Sequence, residues 1–505
     1  MAKKQEIKIV TKEPAIDIAL DTINLGKQAF IFVGSKRSAE ATAEKVAKKL
    51  DESRELAELA EKILEVLAKP TKQCERLARC VRKGTAFHHA GLHHKQRELI
   101  EENFRKGLIK VIACTPTLAM GVDLPAFRAI LKDLKRFDGE FGASWIPVLE
   151  YMQMSGRAGR PSFDNYGEAI CIASTNGEKK AIYDRYVCGE PEEIYSKLAV
   201  EPVLRTYLLS LIATDFVNTK KDIFAFFEKT FWAYQFGDMK KLHKIILKML
   251  NLLLEFNFIK MKNEEFASAD EIDNERIEAT LVGKRVAELY IDPLTANNLV
   301  LGMARAINLG LNDFALLQLI SNQLEIRPQL RVKTADYEFI QEKLLRAKLL
   351  VEEPPEFQPD YYDFVNSVKT AMFFEDWVNE SDEEHLLEKY GIRPGETRAK
   401  LSSADWLLYS AEVLAGLMKF HRLVSEIIKM RIRIEHGVKE ELIALLKLKG
   451  IGRVRARKMF NSKIKDIGDV KKVDLLTLSQ LIGKKTAINV KEQVGQKVES
   501  NLKDY

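Results

Sequence analysis

Paired cysteines are missing from this sequence. The 505 residues include five cysteines, all within the first 190 residues, and no two of them form a Cys-x-x-Cys pair. Such scattered single cysteines argue against a disulfide framework and against a cysteine-rich zinc site. We therefore expect reduced thiols in a cytoplasmic protein.

Long hydrophobic runs and low-complexity segments are missing as well. No stretch approaches the about 18 consecutive apolar residues of a membrane-spanning helix, and no apolar run follows the initial "MAKKQE". Because 46% of the residues are hydrophobic and 30% are charged, the chain can bury several cores. We expect a soluble protein without a membrane partner, divided into about three to five domains.

The positive charge is concentrated at the carboxyl-terminal end. The net charge is +6, and residues 426–505 contain 19 Lys and Arg against 10 Asp and Glu. A basic end on a nearly neutral body indicates a polyanionic partner, although a solvated lysine-rich surface would show the same composition.

Short apolar runs alternate with helical patterns over the first 190 residues. The runs are "QAFIFVGS" (28–35), "TAFHHAGL" (85–92), "IKVIACTPT" (109–117) and "YGEAICIAS" (166–174). This alternation predicts a parallel α/β sheet with helices on both faces. Because ligands bind such sheets at the carboxyl ends of the strands, we expect the loops "TPTLAMGVD" and "SGRAGRP" to lie there.

The pattern becomes almost wholly helical after about residue 191. A long amphipathic pattern at 239–263 ends in a strand-like piece, which is typical of a winged helix extending to about residue 292. Further helical patterns, interrupted by the loop "EEPPEFQPDYYD" (352–363), continue to about residue 425. The basic end then contains a helix broken by Gly-Ile-Gly at 450–452.

The segment "QMSGRAGRP" (153–161) has the residue types of a phosphate site. Glycines allow the backbone to approach a ligand closely, and arginine guanidinium groups match phosphate oxygens. An arginine that reaches the γ-phosphate can accelerate nucleotide hydrolysis by roughly 10³–10⁵. Taken alone, the segment could also be an exposed basic turn.

Four motifs in order resemble those of the superfamily-2 helicases. "FVGSKRSAEATA" (32–43) resembles motif IV, "FHHAGL" (87–92) the segment after it, "TPTLAMGVDLPA" (115–126) motif V, and "QMSGRAGRP" motif VI. The chain is most similar to the archaeal Hjm-type DNA helicases, which are related to the helicase half of DNA polymerase theta. The similarity covers nearly the whole chain.

The resemblance implies a domain order. Residues 1–190 would form the second RecA-like domain, 191–292 a winged helix, 293–425 a helical ratchet domain, and 426–505 a basic domain similar to a helix–hairpin–helix. Residues 131–150 lie where the family has its strand-separating β-hairpin.

The resemblance also implies a nucleotide site. Gln153, Arg157 and Arg160 match the motif VI positions that contact ATP, with both arginines near the γ-phosphate. The glycines of the same motif, Gly156 and Gly159, are expected to line this site. Gly121 and Asp123 match the motif V turn that couples nucleotide state to nucleic acid.

A second set of positions matches residues that contact DNA. Ser35 and Thr115 match positions that hold the strand's backbone, and such contacts carry no sequence information. Lys36 replaces the motif IV arginine. Its ammonium group is a point charge and lacks the planar, forked donors of a guanidinium. Phe141 or Trp145 could stack on the last base pair, although Trp145 could equally pack inward.

Further DNA-binding positions lie in the helical part. Trp406 matches the family's base-stacking tryptophan, whereas the arginine that precedes it by about two turns is replaced by alanine, with Arg398 adjacent. Without the resemblance we would expect Trp406 to be a core residue. The tail residues Arg453, Arg455 and Arg457 follow the Gly-Ile-Gly hairpin and are expected to grip DNA non-specifically, unless they only solvate a basic helix face.

Two segments contain residue types of other sites, a metal site and a DExH box. "FHHAGLHH" (87–94) has four histidines, but no cysteine or carboxylate completes a metal set, so we predict no metal site. "DEEH" (382–385) spells a DExH box without the preceding apolar strand, so we interpret Ser381 to Glu384 as the capped start of an acidic helix.

The P-loop GxxxxGK[ST] and a true DExH strand are absent from the 505 residues. We expect the carboxyl-terminal part of an ATP-dependent 3′–5′ DNA helicase acting in repair at stalled forks, on single-stranded and forked DNA. Its ATP and Mg²⁺ chemistry would need a first RecA-like domain, expected on a separate chain, and the Mg²⁺ ligands would lie on that domain. The alternatives are a non-catalytic DNA-binding or regulatory protein and part of an RNA helicase.

Overall fold

A computed structural model describes residues 6–138, 142–160, 164–262 and 276–496. The chain divides into two compact units. The first comprises Met1–Ile194 and Asp382–Arg398, and the second comprises Tyr195–Ser381 and Ala399–Tyr505. Among the described residues, none of the helices combines the length and the apolar character needed to cross a membrane.

A five-stranded parallel sheet forms the centre of the first unit. Its strands are β1 (Ala29–Phe32), β2 (Thr85–His88), β3 (Val111–Cys114), β4 (Arg128–Leu131) and β7 (Glu168–Cys171). They are arranged in the order β2-β3-β1-β4-β7, and all neighbours are parallel. Each of the four apolar runs contains one strand, so the predicted α/β fold class is confirmed.

The composition of the strands explains their burial. β1 (AFIF) and β3 (VIAC) are apolar at every position and fully buried, as expected for parallel strands covered on both faces. The ring of Phe30 in β1 stacks on Phe104 with centroids 4.9 Å apart. The sheet is therefore fixed by apolar packing, and its polar groups are left at the two strand ends.

Short helices surround this sheet within the first unit. They are α1 (Pro14–Asn24), α2 (Lys36–Ala47), α3 (Arg54–Leu64), α4 (Lys72–Val81), α5 (His94–Arg105), α6 (Thr117–Gly121), α7 (Val148–Ser155) and α8 (Asn176–Ile182). The antiparallel strands β5 (Lys135–Asp138) and β6 (Gly142–Trp145) form a separate pair, with Lys135 opposite Trp145.

A distant segment of the chain completes the first unit. It contains α18 (Glu383–Tyr390) and the first residues of α19 (Pro394–Leu417). Asp382 is the N-cap of α18, since its carboxylate accepts from the amide of His385 at 2.9 Å. The helical interpretation of "DEEH" therefore holds, but the cap was expected at Ser381 and lies one residue later.

The second unit is mostly helical, as predicted. Its first part contains α9 (Glu201–Ala213), α10 (Lys220–Phe227), α11 (Phe231–Phe236), α12 (Met239–Glu255), β8 (Ile259–Lys262), β9 (Arg276–Ala279) and α13 (Leu281–Leu289). The antiparallel pair β8–β9 follows α12, where the sequence indicates the wing.

The remaining helices run from Pro293 to Gln493. They are α14 (Pro293–Leu309), α15 (Asp313–Ser321), α16 (Tyr337–Arg346), α17 (Pro359–Val378), the rest of α19, α20 (His421–His436), α21 (Ile443–Leu446), α22 (Arg453–Asn461), α23 (Ile467–Lys472), α24 (Leu475–Ile482) and α25 (Lys484–Gln493). A separate apolar core of residues 438–494 holds α21–α25 together.

Candidate functional site

The arginine-rich segment lies at the amino edge of the sheet. The amide of Ala126, two residues before β4, donates to the carbonyl of Arg157 at 2.9 Å, and Gly159 donates back to Ala126 at 2.7 Å. We expected "SGRAGRP" at the carboxyl edge, and this prediction is wrong. The reason is the crossover connection: α7 returns the chain from the end of β4 to the start of the parallel strand β7.

Glycines allow this close approach. Gly159 has φ +96°, which is favourable only for glycine, and a Cβ on Gly167 would lie 2.2 Å from the nitrogen of Gly159. Gly156 follows α7, and a Cβ there would lie 3.0 Å from the carbonyl oxygen of Met152. The backbone conformation of the segment thus depends on its glycines.

Both arginines of the segment are bound within the first unit. Arg157 donates through Nε to the carbonyl of Ala119 in α6 at 3.0 Å, which links motif VI to motif V. Arg160 donates to the two carboxylate oxygens of Asp164 at 2.6 and 3.1 Å, and to Oε1 of Gln28 at 2.8 Å. Arg160 therefore lies beside the start of β1.

Asp164 is the counter-ion of this arginine. Its carboxylate also accepts from Nζ of Lys27 at 2.6 Å. The hydrogen bond from Arg160 is the largest influence on Asp164 and, with Lys27, holds the pKa of its carboxyl at about 2. A phosphate group that bound Arg160 would have to displace a fully ionised carboxylate.

Gln153, Gly121 and Asp123 complete the expected nucleotide set. Oε1 of Gln153 is buried and has no hydrogen-bond partner among the described residues. Gly121 ends α6, and no heavy atom lies within 4 Å of an added Cβ. Asp123 is exposed. A buried acceptor without a donor, in the same motif as two arginines, is a polar group that a ligand or water could satisfy.

The expected DNA-backbone residues lie at the opposite, carboxyl edge. Ser35 follows β1 and caps α2, since its Oγ accepts from the amide of Ser38 at 3.1 Å. Thr115 directly follows β3, and its hydroxyl lies 2.9 Å from that of Thr117. Lys36 forms an ion pair with Glu396, and Arg37 beside it is exposed. For Thr115 and motif V, the predicted position at the carboxyl edge is correct.

The strand pair β5–β6 also follows the carboxyl end of β4. Trp145 lies at its base, where Nζ of Lys135 is 4.3 Å from the ring centre and Tyr186 contacts the indole edge-on at 6.0 Å. These contacts favour the inward packing of Trp145. Phe141, the other stacking candidate, lies outside the described residues, as does Gly139 of the expected turn.

Trp406 is a partly exposed residue of α19 in the second unit. The side chain is 36% exposed, and its Nε1 donates to the carbonyl of Leu289, the last residue of α13, at 3.0 Å. Tyr409, one turn later, is also exposed. The guanidinium of Arg431 lies over its ring, 4.9 Å from the ring centre. The indole is thus oriented by its N–H while part of its surface stays accessible.

The predicted basic residues of the tail have different environments. Arg457 binds Glu441 and Glu380 through its guanidinium, and Arg453 lies over Trp377 and donates to the carbonyl of Ser381. Arg455 is exposed, and its guanidinium donates to the nearby carbonyl of Gly450 at 2.9 Å. Of the three arginines, Arg455 is the most accessible to a nucleic acid.

Arg398 belongs to the first unit. Its guanidinium lies 3.6 Å from the carboxylate of Glu383 in α18. The arginine therefore has an anionic neighbour, and about half of its side chain is exposed.

Three of the four clustered histidines have structural roles. His88 lies 2.9 Å from Glu101, His89 lies 3.2 Å from Glu40, and His93 caps α5. Burial lowers the pKa of His93 to about 4, so that this cap is neutral at pH 7. Over the described ranges, no three His, Cys, Asp or Glu side chains are grouped as metal ligands.

Sequence reasoning missed the acidic partners of these segments. Glu40 in α2, Asp164 after motif VI, and Glu396 at the start of α19 each bind a residue of an identified motif. Their contacts join positions far apart in the chain, so no local pattern could have identified them, except that Asp164 follows Arg160 by four residues.

Two family models match the chain. Residues 12–162 match the helicase conserved C-terminal domain, and residues 314–437 match domain 4 of archaeal helicases. The first match contains motifs IV to VI, and the second contains Trp406.

Curated relatives extend this similarity over most of the chain. The ATP-dependent DNA helicase Hel308 of Methanocella arvoryzae is 38% identical over 497 residues, which cover 95% of this chain and 65% of the relative. The proteins of the same name from Methanococcus vannielii and Pyrococcus horikoshii are 36% identical, and 68% and 66% of their lengths are covered. The chain therefore spans about two thirds of the length of these relatives.

Proposed function

Because the chain belongs to the Hel308 family of ATP-dependent DNA helicases, we propose that it carries the carboxyl-terminal part of such a motor. The observation that supports this most strongly is the division of polar groups between the two edges of one sheet. Arg157 and Arg160 lie at the amino edge, whereas Ser35 and Thr115 lie at the carboxyl edge.

The amino edge is proposed to bind the triphosphate of ATP. Arg160 would exchange Asp164 for phosphate oxygens, and its guanidinium would stabilise the charge that develops during transfer of the γ-phosphate. Arg157 would hold motif V in position next to motif VI through its hydrogen bond to the carbonyl of Ala119. Oε1 of Gln153 is free to accept a hydrogen bond from a water at the phosphate.

The P-loop and the Mg²⁺ ligands are proposed to lie on a first RecA-like domain. Mg²⁺ would neutralise the phosphate charge when bound. The residues proposed to face the phosphates are two arginines and the amide of Gln153, and the carboxylate beside them, Asp164, is held by Arg160 and Lys27. This domain could be supplied by a separate chain or by a longer polypeptide, and we propose the separate chain as the arrangement to test.

The carboxyl edge is proposed to hold the DNA backbone. The segment Gly34–Arg37, exposed except at Lys36, contains the amino terminus of α2, where backbone amides and cationic side chains favour a phosphate. β5–β6 extends from the same edge and would separate the strands. In the second unit, the accessible part of Trp406 would stack on a base without sequence preference.

Movement from 3′ to 5′ and a role in repair at stalled forks complete the proposal. Both rest on the family resemblance. Such a substrate would place the protein in the cytoplasm.

The test is ATP hydrolysis in the presence of single-stranded DNA, with a P-loop domain from a Hel308 relative added to the chain. We expect activity only in the mixture. Arg160→Lys keeps a cation beside Asp164 but loses the planar fork, and should lower kcat by about 10³. The matched control is Arg105→Lys on the exposed face of α5, which should leave kcat unchanged.

A non-catalytic DNA-binding protein is the second candidate, because Asp164 already occupies the guanidinium of Arg160. DNA binding and tight association with the P-loop domain, without hydrolysis, would favour this candidate. Stronger binding of RNA than of DNA with the same sequence would instead favour an RNA helicase.

A further inference from the structure

An acidic loop with exposed aromatic side chains lies between α16 and α17 of the second unit. Between Leu349 and Val368 the sequence has five carboxylates and no Lys or Arg. Glu352 pairs with Arg305, and Asp363 pairs with Arg327. Glu353, Glu356 and Asp360 form no ion pair with any residue that the structure describes, so their charge remains available.

Aromatic rings are exposed on the same loop and the adjoining helices. Phe357 is 88% exposed, Tyr362 in α17 is 48% exposed, and Tyr337 at the start of α16 is 42% exposed. All three line one groove of about 650 Å³, together with Glu356. Exposed aromatic surface concentrated in one concavity is typical of an interaction site rather than of scattered surface residues.

The position of Phe357 is fixed by the loop. Pro354 and Pro355 precede it and Pro359 follows it, which restricts the backbone. The amide of Gln358 donates to the carbonyl of Pro355 at 2.9 Å and closes the turn. The ring is therefore presented by a restrained turn, which lowers the entropy that binding would cost.

The two helical walls of the groove are also connected. Nε2 of Gln341 in α16 donates to the hydroxyl of Tyr361 in α17 at 3.3 Å. The ion pair between Glu352 and Arg305 fastens the start of the loop to α14 at 2.6 Å. The groove is thus formed before any partner binds.

We propose that this groove binds a basic segment of a partner protein, in which a large apolar side chain is flanked by lysine or arginine. The apolar side chain would contact Phe357, Tyr337 and Tyr362. The cations would face Glu353, Glu356 and Asp360. The same carboxylates repel phosphate, so the groove is distinct from the surfaces proposed to hold DNA.

The test is fluorescence anisotropy with the whole chain and a fluorescein-labelled twelve-residue peptide containing two leucines and six lysines. One comparison peptide has glutamates in place of the lysines, and another has serines in place of the leucines. We expect binding of the first peptide alone, weakened by added salt because charge contributes to it.

Exposed-residue variants locate the binding site on the chain. Phe357→Ser and the double variant Glu353→Gln, Glu356→Gln should each weaken peptide binding by about tenfold or more. The matched control is Phe339→Ser, because Phe339 is 62% exposed on α16 but lines a neighbouring groove. This control should bind the peptide as the unchanged chain does.

Three results would overturn the proposal. They are the absence of peptide binding, equal binding by Phe357→Ser and the unchanged chain, and weaker binding of single-stranded DNA in the Phe357→Ser variant. The last result would make the groove a nucleic-acid surface. Because the assay needs neither ATP nor a P-loop domain, its outcome is independent of the proposed motor function.

Discussion

Glu40 shows how a single carboxylate can connect several segments of the first unit. Its oxygens lie 2.9 Å from Nε2 of Gln73, 2.7 Å from Nη1 of Arg76, 3.2 Å from His89 and 3.1 Å from Nε of Arg393. Burial raises the pKa of this carboxyl, but the contacts with His89, Arg393 and Gln73 outweigh burial and hold it at about 2. Glu40 is therefore ionised at neutral pH.

Replacing this carboxylate should destabilise the first unit. Glu40→Gln is expected to lower the free energy of unfolding by about 3 kcal/mol at pH 7, because it removes the buried counter-charge of the partly buried guanidinium groups of Arg76 and Arg393. The pKa of Glu40 is lower in the folded state than in the unfolded chain. Its stabilisation is therefore complete above about pH 4.5 and lost as the pH falls towards 2.

The measurements are urea unfolding at pH 7 and pH 3 and, separately, hydrogen exchange of the backbone amides of β1, β2 and β3. The difference between Glu40→Gln and the unchanged chain should shrink at pH 3. Glu61→Gln, which removes an exposed partner of Arg82, serves as control and should cost less than about 1 kcal/mol. An equal cost for both variants would contradict the role of Glu40.

Trp406 provides a second test at this scale. Trp406→Ala should weaken binding of single-stranded DNA by about tenfold, corresponding to the roughly 1–3 kcal/mol of a stacked base. Trp406→Phe should retain part of the affinity, since it keeps an aromatic face. Anisotropy titrations at one salt concentration measure this, and equal affinity for all three proteins would assign Trp406 a packing role only.

The residue types of the nucleotide site could be predicted from the sequence, but their partners could not. Arg157 and Arg160 are identified by the glycines around them. The pairing of Arg160 with Gln28 joins positions 132 residues apart and depends on the fold. The hydrogen bond from Trp406 to the carbonyl of Leu289 likewise joins positions 117 residues apart, which no helical periodicity reveals.

At the scale of elements, the start of α19 is attached to the β2–α5 loop. The amide of Gly395 donates to the carbonyl of Gly91 at 3.0 Å. A Cβ on Gly395 would lie 2.3 Å from the carbonyl oxygen of Leu92 and 2.4 Å from that of Ala90. The helix can therefore begin at this position only with glycine as its second residue.

Two glycines of α19 give a matched comparison. Gly395→Ala should force the helix away from this loop and lower the melting temperature of the chain. Gly416→Ala has no heavy atom within 4 Å of the new Cβ, so helix propensity should stabilise it by about 0.5–1 kcal/mol. Calorimetry of both variants measures this, and a stabilising Gly395→Ala would contradict the described attachment.

The tail helix α22 carries two kinds of cationic side chain: some are exposed, and others are held in ion pairs. Arg455 and Lys458 are exposed, whereas Arg457 binds Glu441. The double variant Arg455→Ala, Lys458→Ala should reduce the slope of log affinity against log salt by about 1.5 for single-stranded DNA. Lys429→Ala, which removes an exposed cation paired with Glu440, is the control. An unchanged slope in the double variant would remove α22 from the DNA contacts.

Strands were easier to predict than connections. The four apolar runs each contain a strand, and in β1 and β3 burial on both faces accounts for the uninterrupted hydrophobic residues. No sequence pattern distinguishes β4 from motif V, because the strand begins two residues after that motif ends. The edge at which "SGRAGRP" lies depends on the crossover through α7, and this was the wrong prediction.

At the scale of the whole molecule, the sequence predicts the fold class. It also predicts the order along the chain of an α/β part, a helical part and a basic end. It did not indicate that Asp382–Arg398 belongs to the first unit, because the contacts of Lys36 with Glu396 and of Glu40 with Arg393 span more than 350 residues. Charge patterns identify cationic and acidic surfaces, but not which distant charges pair.

The central claim is that this chain supplies the arginines and the DNA-separating parts of a helicase motor. The most direct measurement is displacement of a labelled strand from a forked DNA duplex by the chain mixed with a P-loop domain and ATP. We predict displacement by the unchanged chain, loss of displacement with Arg160→Lys, and retained DNA binding in both. Displacement that persists with Arg160→Lys, or DNA binding and ATP hydrolysis without any displacement, would contradict the account.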